Sequence, residues 1–325
     1  MGRRIFHPEI FQGNLKKKSY FEGWYFKHST PADSSGSAQK VVAVIPGISL
    51  VHDDDRHAFI QILTSDHSSC YIPFDIRDFY AEKNRFSVQI GSNHFSRKGM
   101  TLSIDHPDIS ISGTLEYEGT VPFPVTLASP GIMGWYGYVP FMECFHGVVS
   151  MNHTIRGSLT VRGEAISFTG GKGYIEKDWG TSFPKNYIWA QSNDFPDKRV
   201  SCMLSVASIP WLRREFAGFL CFLHTGEELY RFATYTRSSI KELAVSDSTV
   251  SIRISDSRYD MWMRISKQDG GSLAAPNRGT MDRYIKESVV SGMRITLKDK
   301  QGKMLFDSTG EPGGFEIVGD IDKLV

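Results

Sequence analysis

Apolar residues in this chain recur at every second position, and that alternation constrains the fold more than any other feature. Ile109, Ile111, Leu115 and Tyr117 fall on one parity, while Ser110, Ser112, Thr114, Glu116 and Glu118 fall on the other. The same pattern runs through Met100, Leu102 and Ile104, through Val250, Ile252 and Ile254, through Met261, Met263 and Ile265, and through Met293, Ile295 and Leu297. Successive side chains of a strand point to opposite faces, so each segment covers a core on one side and meets water on the other. Asp269-Gly270-Gly271, Lys300-Gln301-Gly302 and Glu311-Pro312-Gly313-Gly314 read as turns between such runs. Long helical periodicity is absent. Many short antiparallel strands joined by turns build a sandwich or a barrel, so the chain is read as all-β. About eight strand-like runs follow Phe183, the complement of one small barrel, and the first half holds a similar number. Two stacked β-domains, residues 1–183 and 184–325, are therefore expected, with Ser29 to Lys40 as an exposed, low-complexity hairpin loop.

Composition sets limits on partners. The 325 residues carry 37 basic and 36 acidic side chains, a net charge of +1, which gives no electrostatic reason to expect a nucleic acid. With 40% hydrophobic and 12% aromatic residues, the chain can fill a core and line a cavity. The one basic run, Lys16-Lys17-Lys18, reads as a solvated face. Cys70, Cys144, Cys202 and Cys221 are far apart, fit no zinc spacing and look like free thiols of a reducing compartment. No secretory signal opens the sequence and no stretch reaches a membrane span, because Pro140 and Glu143 break one apolar run and Arg213, Arg214 and Glu215 another. A cytoplasmic protein, peripheral to a membrane at most, is expected. His52-Asp53-Asp54-Asp55-Arg56-His57 reads as a solvated turn rather than a metal loop, and no nucleophile elbow, phosphate loop or dinucleotide fingerprint occurs. No metal and no cofactor are expected.

Three segments depart from the strand template. In Tyr20-Phe21-Glu22-Gly23-Trp24-Tyr25-Phe26-Lys27 five of eight residues are aromatic, and Glu22 shares a face with Trp24 and Phe26. A carboxyl buried among aromatic rings is disfavoured as an anion and becomes a proton donor near neutral pH, unless it pairs with Lys27 or a distant arginine. In Gly173 to Phe195, Glu176 and Asp178 share a face next to Trp179, and after a Gly-Thr-Ser-Phe-Pro turn Tyr187, Trp189, Gln191 and Asn193 point one way. Aromatic faces, two amides and two carboxylates suit a pocket for an apolar molecule with a polar head; Lys177 and Lys185 satisfying the acids is the structural alternative. Pro130 to Gly147, which contains Trp135 and Glu143, is apolar but rich in Gly and Pro and is expected to be neither helix nor central strand. It is either a buried linker or a flexible apolar lid able to dip into a membrane surface to collect a lipid.

Phe21-Glu22-Gly23-Trp24-Tyr25-Phe26-Lys27, with Glu176-Lys177-Asp178-Trp179-Gly180, Phe183-Pro184 and Trp189-Ala190-Gln191-Ser192-Asn193, resembles the paired signature of tocopherol cyclases and their bacterial relatives. Fainter similarity continues through Glu143 and from Ala275-Pro276-Asn277 to Gly319. The resemblance implies two lipocalin-like, calycin-type β units with a pocket at or near their junction. It implies a cofactor-free isomerase: an enzyme acid protonates the alkene of a prenylated hydroquinone, and the ring hydroxyl traps the cation to close a chromanol. Such chemistry needs a protonated acid, aromatic faces for the cation and a dry pocket. Glu22, Glu176 and Asp178 are the candidate acids, Trp24, Tyr25, Trp179, Tyr187 and Trp189 the wall, and Gln191 and Asn193 the groups that orient the polar head, with Trp135 and Glu143 as further substrate-binding candidates. Plant-type cyclases carry a plastid transit segment and a run of glycines before the Phe-Pro; this chain begins close to its first motif and has Thr181 and Ser182 there instead. The substrate is thus a prenylated quinol or another isoprenoid lipid. A related alkene hydratase and a lipid-binding protein without turnover are the alternatives.

Overall fold

The computed structural model describes residues 4–15, 17–32, 38–211 and 214–324. Lys16 of the basic run, residues 33–37 of the expected hairpin loop and Arg213 therefore lie outside the described residues. The fold is all-β, two lipocalin-like antiparallel units, with five short 3-10 turns and no α-helix among the described residues. None of its helices is long and apolar enough to cross a membrane.

The first sheet has twelve strands: β1 (Tyr20–Ser29), β2 (Val41–His52), β3 (Asp55–Thr64), β4 (Ser69–Asp75), β5 (Phe79–Ala81), β6 (Ser87–Ile90), β7 (Asn93–Ser96), β8 (Gly99–His106), β9 (Ile109–Glu118), β10 (Cys144–Val161), β11 (Glu164–Ser167) and β12 (Lys172–Gly180). Their order is β4-β3-β2-β1-β12-β10-β9-β8-β7-β6-β5, with β11 paired to β10. The second sheet has ten: β13 (Tyr187–Ser192), β14 (Ser201–Trp211), β15 (Arg214–His224), β16 (Leu229–Ala233), β17 (Ser239–Val245), β18 (Thr249–Ser255), β19 (Tyr259–Ser266), β20 (Gly271–Asn277), β21 (Thr280–Asp299) and β22 (Met304–Val318). Their order is β16-β15-β14-β13-β22-β21-β19-β18-β17, with β20 paired to β21. Both sheets thus exceed the eight or so strands counted from the sequence, because short strands such as β5, β6 and β7 are too brief to show a period.

Residues 1–183 with 272–284 form one compact unit, and residues 184–271 with 285–325 the other. The excursion 272–284 is held to the first unit by name: Gln61 Nε2 donates to the Ala274 carbonyl (2.9 Å), the Ala274 amide returns to Gln61 Oε1 (2.8 Å), and Ser49 Oγ donates to Gly279 O (2.6 Å). Each unit has its own core. Trp24, Phe26, Val44, Ile62, Phe95, Leu115 and Ile175 pack in the first, and Ile188, Leu204, Cys221, Ile254, Met263 and Ile295 in the second. Each such side chain contributes about 1.5–3 kcal/mol by leaving water. All four cysteines are free thiols.

Two expectations need correcting. Glu311-Pro312-Gly313-Gly314 is not a turn but lies inside β22, where the β21–β22 register slips. Gly and Pro here serve an irregularity within a strand, a role they share with turns. Pro130 to Gly147 is also divided. Gly134–Tyr138 is a 3-10 turn, whereas Cys144 to Gly147 open β10, which pairs with both β9 and β12. The glycine at 147 is tolerated because Pro8 and Trp179 close over it and leave no room for a side chain. In the His52–His57 stretch only Asp53 and Asp54 form the tight turn between β2 and β3, with Asp53 paired to Lys18 (2.6 Å) and to Arg56.

Candidate functional site

The two aromatic motifs become neighbours because β12 returns to the middle of the first sheet and pairs with β1. Glu22 lies opposite Trp179, Gly23 opposite Asp178, Trp24 opposite Lys177 and Tyr25 opposite Glu176. Paired residues share a face, and alternation then sorts these side chains into two sets. Glu22, Trp24, Lys177 and Trp179 stand on the side of Phe26 and Ile175, the core. Gly23, Tyr25, Glu176 and Asp178 stand on the opposite side.

On the core side, Glu22 and Lys177 form an ion pair with Nζ 2.5 Å from Oε1, both side chains wholly buried. The segment before β1 folds over them. Glu22 Oε1 also accepts from the Gln12 amide (2.7 Å), and Oε2 accepts from the Gly13 amide (2.8 Å) and the Tyr20 hydroxyl (2.6 Å). Only glycine fits at 13, since an added Cβ would lie 2.5 Å from the Tyr20 ring. Lys177 donates further to the carbonyls of Pro8 (3.0 Å) and Ile10 (2.5 Å), with its ammonium 4.7 Å from the Trp24 ring centre and 4.8 Å from that of Trp179. Burial pulls the Lys177 ammonium below its usual value, and Glu22 opposes that pull. Burial, reinforced by Glu22, pushes the Tyr20 phenol well up. Glu22, expected as an acid, thus meets four donors, and Trp24 and Trp179, expected to face a substrate cation, stand beside the Lys177 ammonium.

The opposite side holds a different arrangement. His146 lies across from Asp178 on the neighbouring strand, β10, and its Nδ1 is 2.9 Å from Asp178 Oδ1. Its Nε2 is buried, lies 3.6 Å from Glu176 Oε2 and has no hydrogen-bond partner among the described residues. Tyr174 donates to Glu176 Oε2 (2.7 Å), and the Cys144 thiol points at Asp178 Oδ1 (3.8 Å). Burial disfavours charge on His146, but Asp178 and then Glu176 outweigh it and raise the imidazole to about 9. The ring is therefore an imidazolium at neutral pH. Burial and the adjacent Asp178 push the Cys144 thiol well up, so it is no nucleophile. One ligand atom each from His146, Glu176 and Asp178 come within 4.8 Å of one another.

Gly180 (φ +151°) lets the Glu143 carbonyl approach to 2.1 Å of where a Cβ would be; that carbonyl accepts from the Thr181 amide (2.8 Å). Glu143 itself points into solvent, so its main chain rather than its carboxylate is engaged. Residues 129–134 are buried, and Met133 Sδ accepts from the His146 amide (3.1 Å). Beyond them Leu127, Trp135, Tyr138 and Phe141 are exposed, by 83, 47, 47 and 59%. Tyr25 is buried on the His146 side of the sheet, next to Glu176 by register.

In the second unit, Tyr187, Trp189 and Gln191 share the face of β13 that turns away from Ile188 and Ala190, and Asn193 follows in the same phase. All four are buried. Tyr187 donates to Glu316 Oε2 (2.6 Å) and Gln191 Nε2 to Asn193 Oδ1 (3.3 Å).

Sequence reading missed His146, Tyr174 and the role of Lys177. The parity of Cys144 and His146 against Phe145 and Gly147 was a strand signal, hidden by the Gly- and Pro-rich residues before it.

Residues 119–319 match the family model described as tocopherol cyclase-like. A probable chloroplastic tocopherol cyclase of Oryza sativa subsp. japonica is 24% identical over 213 residues, 60% of this chain and 44% of that protein. The chain thus spans less than half the length of that relative. Among solved structures, CghA with Sch210972 superposes with a TM-score of 0.55 at 11% identity, covering 92% of this chain and 89% of that one. Kievitone hydratase from Nectria haematococca gives a TM-score of 0.51 at 13% identity, covering 99 and 96%. These two likenesses show a shared fold.

Proposed function

The chain belongs to the tocopherol cyclase-like family, and from that premise we propose that it is an enzyme of the cyclase or hydratase kind, adding an O–H group across an alkene of a hydrophobic molecule. The observation that carries this reading is the His146 ring, fixed by Asp178 at Nδ1 and raised towards its charged form, whose buried Nε2 lies 3.6 Å from Glu176 Oε2 and has no hydrogen-bond partner among the described residues. Nε2–H is the proton to be delivered. Asp178 orients the ring and stabilises its charged form, and Glu176, held by Tyr174, keeps a negative charge beside the cation that forms. In the cyclase form, the proton passes to one alkene carbon and the substrate hydroxyl bonds to the other. The hydroxyl proton returns to the neutral imidazole, so substrate and product are isomers and the enzyme is regenerated.

The substrate class is a prenylated hydroquinone or a related isoprenoid, in keeping with the name of the rice relative. The uncharged segment 119–142, with Leu127, Trp135, Tyr138 and Phe141 exposed, is suited to take such a molecule from a lipid surface, as a peripheral contact. Tyr187, Trp189, Gln191 and Asn193 form a second polar–aromatic row whose part is read by substitution.

Purified protein incubated with a reduced phytyl- or geranylgeranyl-benzoquinol in heavy water should give a chromanol carrying one non-exchangeable deuterium. A product heavier by the elements of water supports a second reading, alkene hydration, for which the likeness to kievitone hydratase speaks. Quinol recovered unchanged across a range of prenyl chains, with tight binding, would replace both with a carrier.

A further inference from the structure

A second group of metal-ligating side chains lies apart from His146. Cys70 sits on β4, an edge strand, while His106 ends β8 and Asp108 follows Pro107 in the turn to β9. Cys70 Sγ is 3.6 Å from His106 Nδ1 and 3.9 Å from Asp108 Oδ2, and that Nδ1 is 3.5 Å from the same Oδ2. We propose that Cys70, His106 and Asp108 form a zinc(II) site with its fourth position open to water, a staple between the β4 edge and the β8–β9 turn.

The distances carry this assignment. Zinc bonds of about 2.3 Å to sulfur and about 2.0–2.1 Å to nitrogen and oxygen, at tetrahedral angles, place ligand atoms roughly 3.4–3.6 Å apart. The three separations match that edge length with a shift of a few tenths of an ångström, which a carboxylate on an exposed turn can supply. Thiolate, imidazole and carboxylate together are donors that suit zinc rather than magnesium or calcium. Cys70 is 8% exposed, whereas the His106 and Asp108 side chains are exposed by 29 and 72%, so sulfur closes the site from the protein side and water completes it from outside. Arg162 reaches the Asp108 main-chain carbonyl (3.5 Å), not its carboxylate, and pairs with Asp66 (3.4 Å). His106 Nδ1 also faces the Asp108 amide at 3.3 Å, a contact the metal would replace. On binding, the Sγ–H bond of Cys70 breaks, its proton leaves to solvent, and the sulfur lone pair forms the bond to zinc.

Titration of the metal-free full chain with cobalt(II) tests the site. One equivalent should saturate, giving a thiolate-to-cobalt charge-transfer band and the strong visible bands of a four-coordinate ion, and zinc should displace it and raise the melting temperature. Cys70→Ser should abolish the charge-transfer band and His106→Gln should weaken binding by roughly tenfold or more. Cys144→Ser should leave both unchanged, because its thiol lies beside the other described cluster of ligand side chains, His146, Glu176 and Asp178. Absence of saturable binding, a band that survives Cys70→Ser, or a band lost in Cys144→Ser would overturn the proposal. Circular dichroism of the variants separates loss of the site from loss of the fold, and His106→Gln serves should Cys70→Ser fail to fold.

Discussion

The two faces of the β1–β12 pair carry the same ingredients, acids, a base and aromatic rings, and put them to opposite uses. On the core side, Glu22 and Lys177 meet with every charge matched: four donors fill the carboxylate, and three acceptors and two rings surround the ammonium. On the other side, two carboxylates share one imidazolium, and one of its nitrogens has no hydrogen-bond partner among the described residues. Saturation makes the first arrangement rigid and inert, because an extra proton or its removal would leave a buried charge unpaired. Incompleteness leaves the second with the N–H that the proposed chemistry would use. Burial and charge alone do not distinguish them, and the census of donors and acceptors does.

The contrast breaks most visibly at His146 and Asp178. His146→Gln and Asp178→Asn should each lower turnover by about 10²–10⁴-fold while circular dichroism stays native, the range expected for removal of a general acid. Deuterium incorporation into product measures it; turnover within a factor of a few of the parent would remove the cluster from the chemistry.

Glu22→Gln should act on stability, by about 3–5 kcal/mol, since Lys177 would keep its buried charge without its partner. Urea unfolding reads the loss, and Glu22→Gln combined with Lys177→Met should recover part of it. If Glu22→Gln left stability intact and abolished turnover, the roles assigned to the two faces would be reversed.

The faces also separate by pH. His146 is raised from 6.5 to about 9, so its contribution is fully present below pH 6.5 and fades as pH rises through 9, on the order of 3 kcal/mol in all. His28, on the core side, donates from Nδ1 to the Val42 carbonyl (3.1 Å) and accepts at Nε2 from the Tyr117 hydroxyl (2.7 Å), and burial lowers it to about 4. It is held neutral, so its contribution is present above pH 6.5 and fades as pH falls towards 4. Unfolding free energies across pH 4–10 should show both limbs, and His146→Gln should flatten only the alkaline one.

The smallest effect belongs to the apolar segment. Leu127→Ser with Phe141→Ser should change stability by no more than about 0.5 kcal/mol, because both side chains are exposed, yet reduce partition onto lipid vesicles. Unchanged sedimentation with vesicles would end the role given to this segment.

Much of this was legible in the chain. Alternation alone placed Glu22 with Trp24 and Phe26, and Glu176 with Asp178, as the strands do. The second motif gave Tyr187, Trp189 and Gln191 one face for the same reason. Tyr174 was overlooked although its parity matches Glu176, because a lone tyrosine in a strand is commonplace. His146 escaped because it closes a stretch whose glycines and prolines argued against a strand.

The sequence by itself determined the all-β character and which residues of each strand look the same way, because side-chain period is a local consequence of backbone geometry. Which face is core, and who stands opposite whom, was decided only by tertiary pairing. Lys177 meets Glu22 and His146 meets Asp178 because the sheet order sets β12 between β1 and β10, and Cys70 meets His106 although β4 and β8 are not neighbours in that order. A carboxylate's role follows from the donors around it, and those donors are set by long-range register, which no local pattern records.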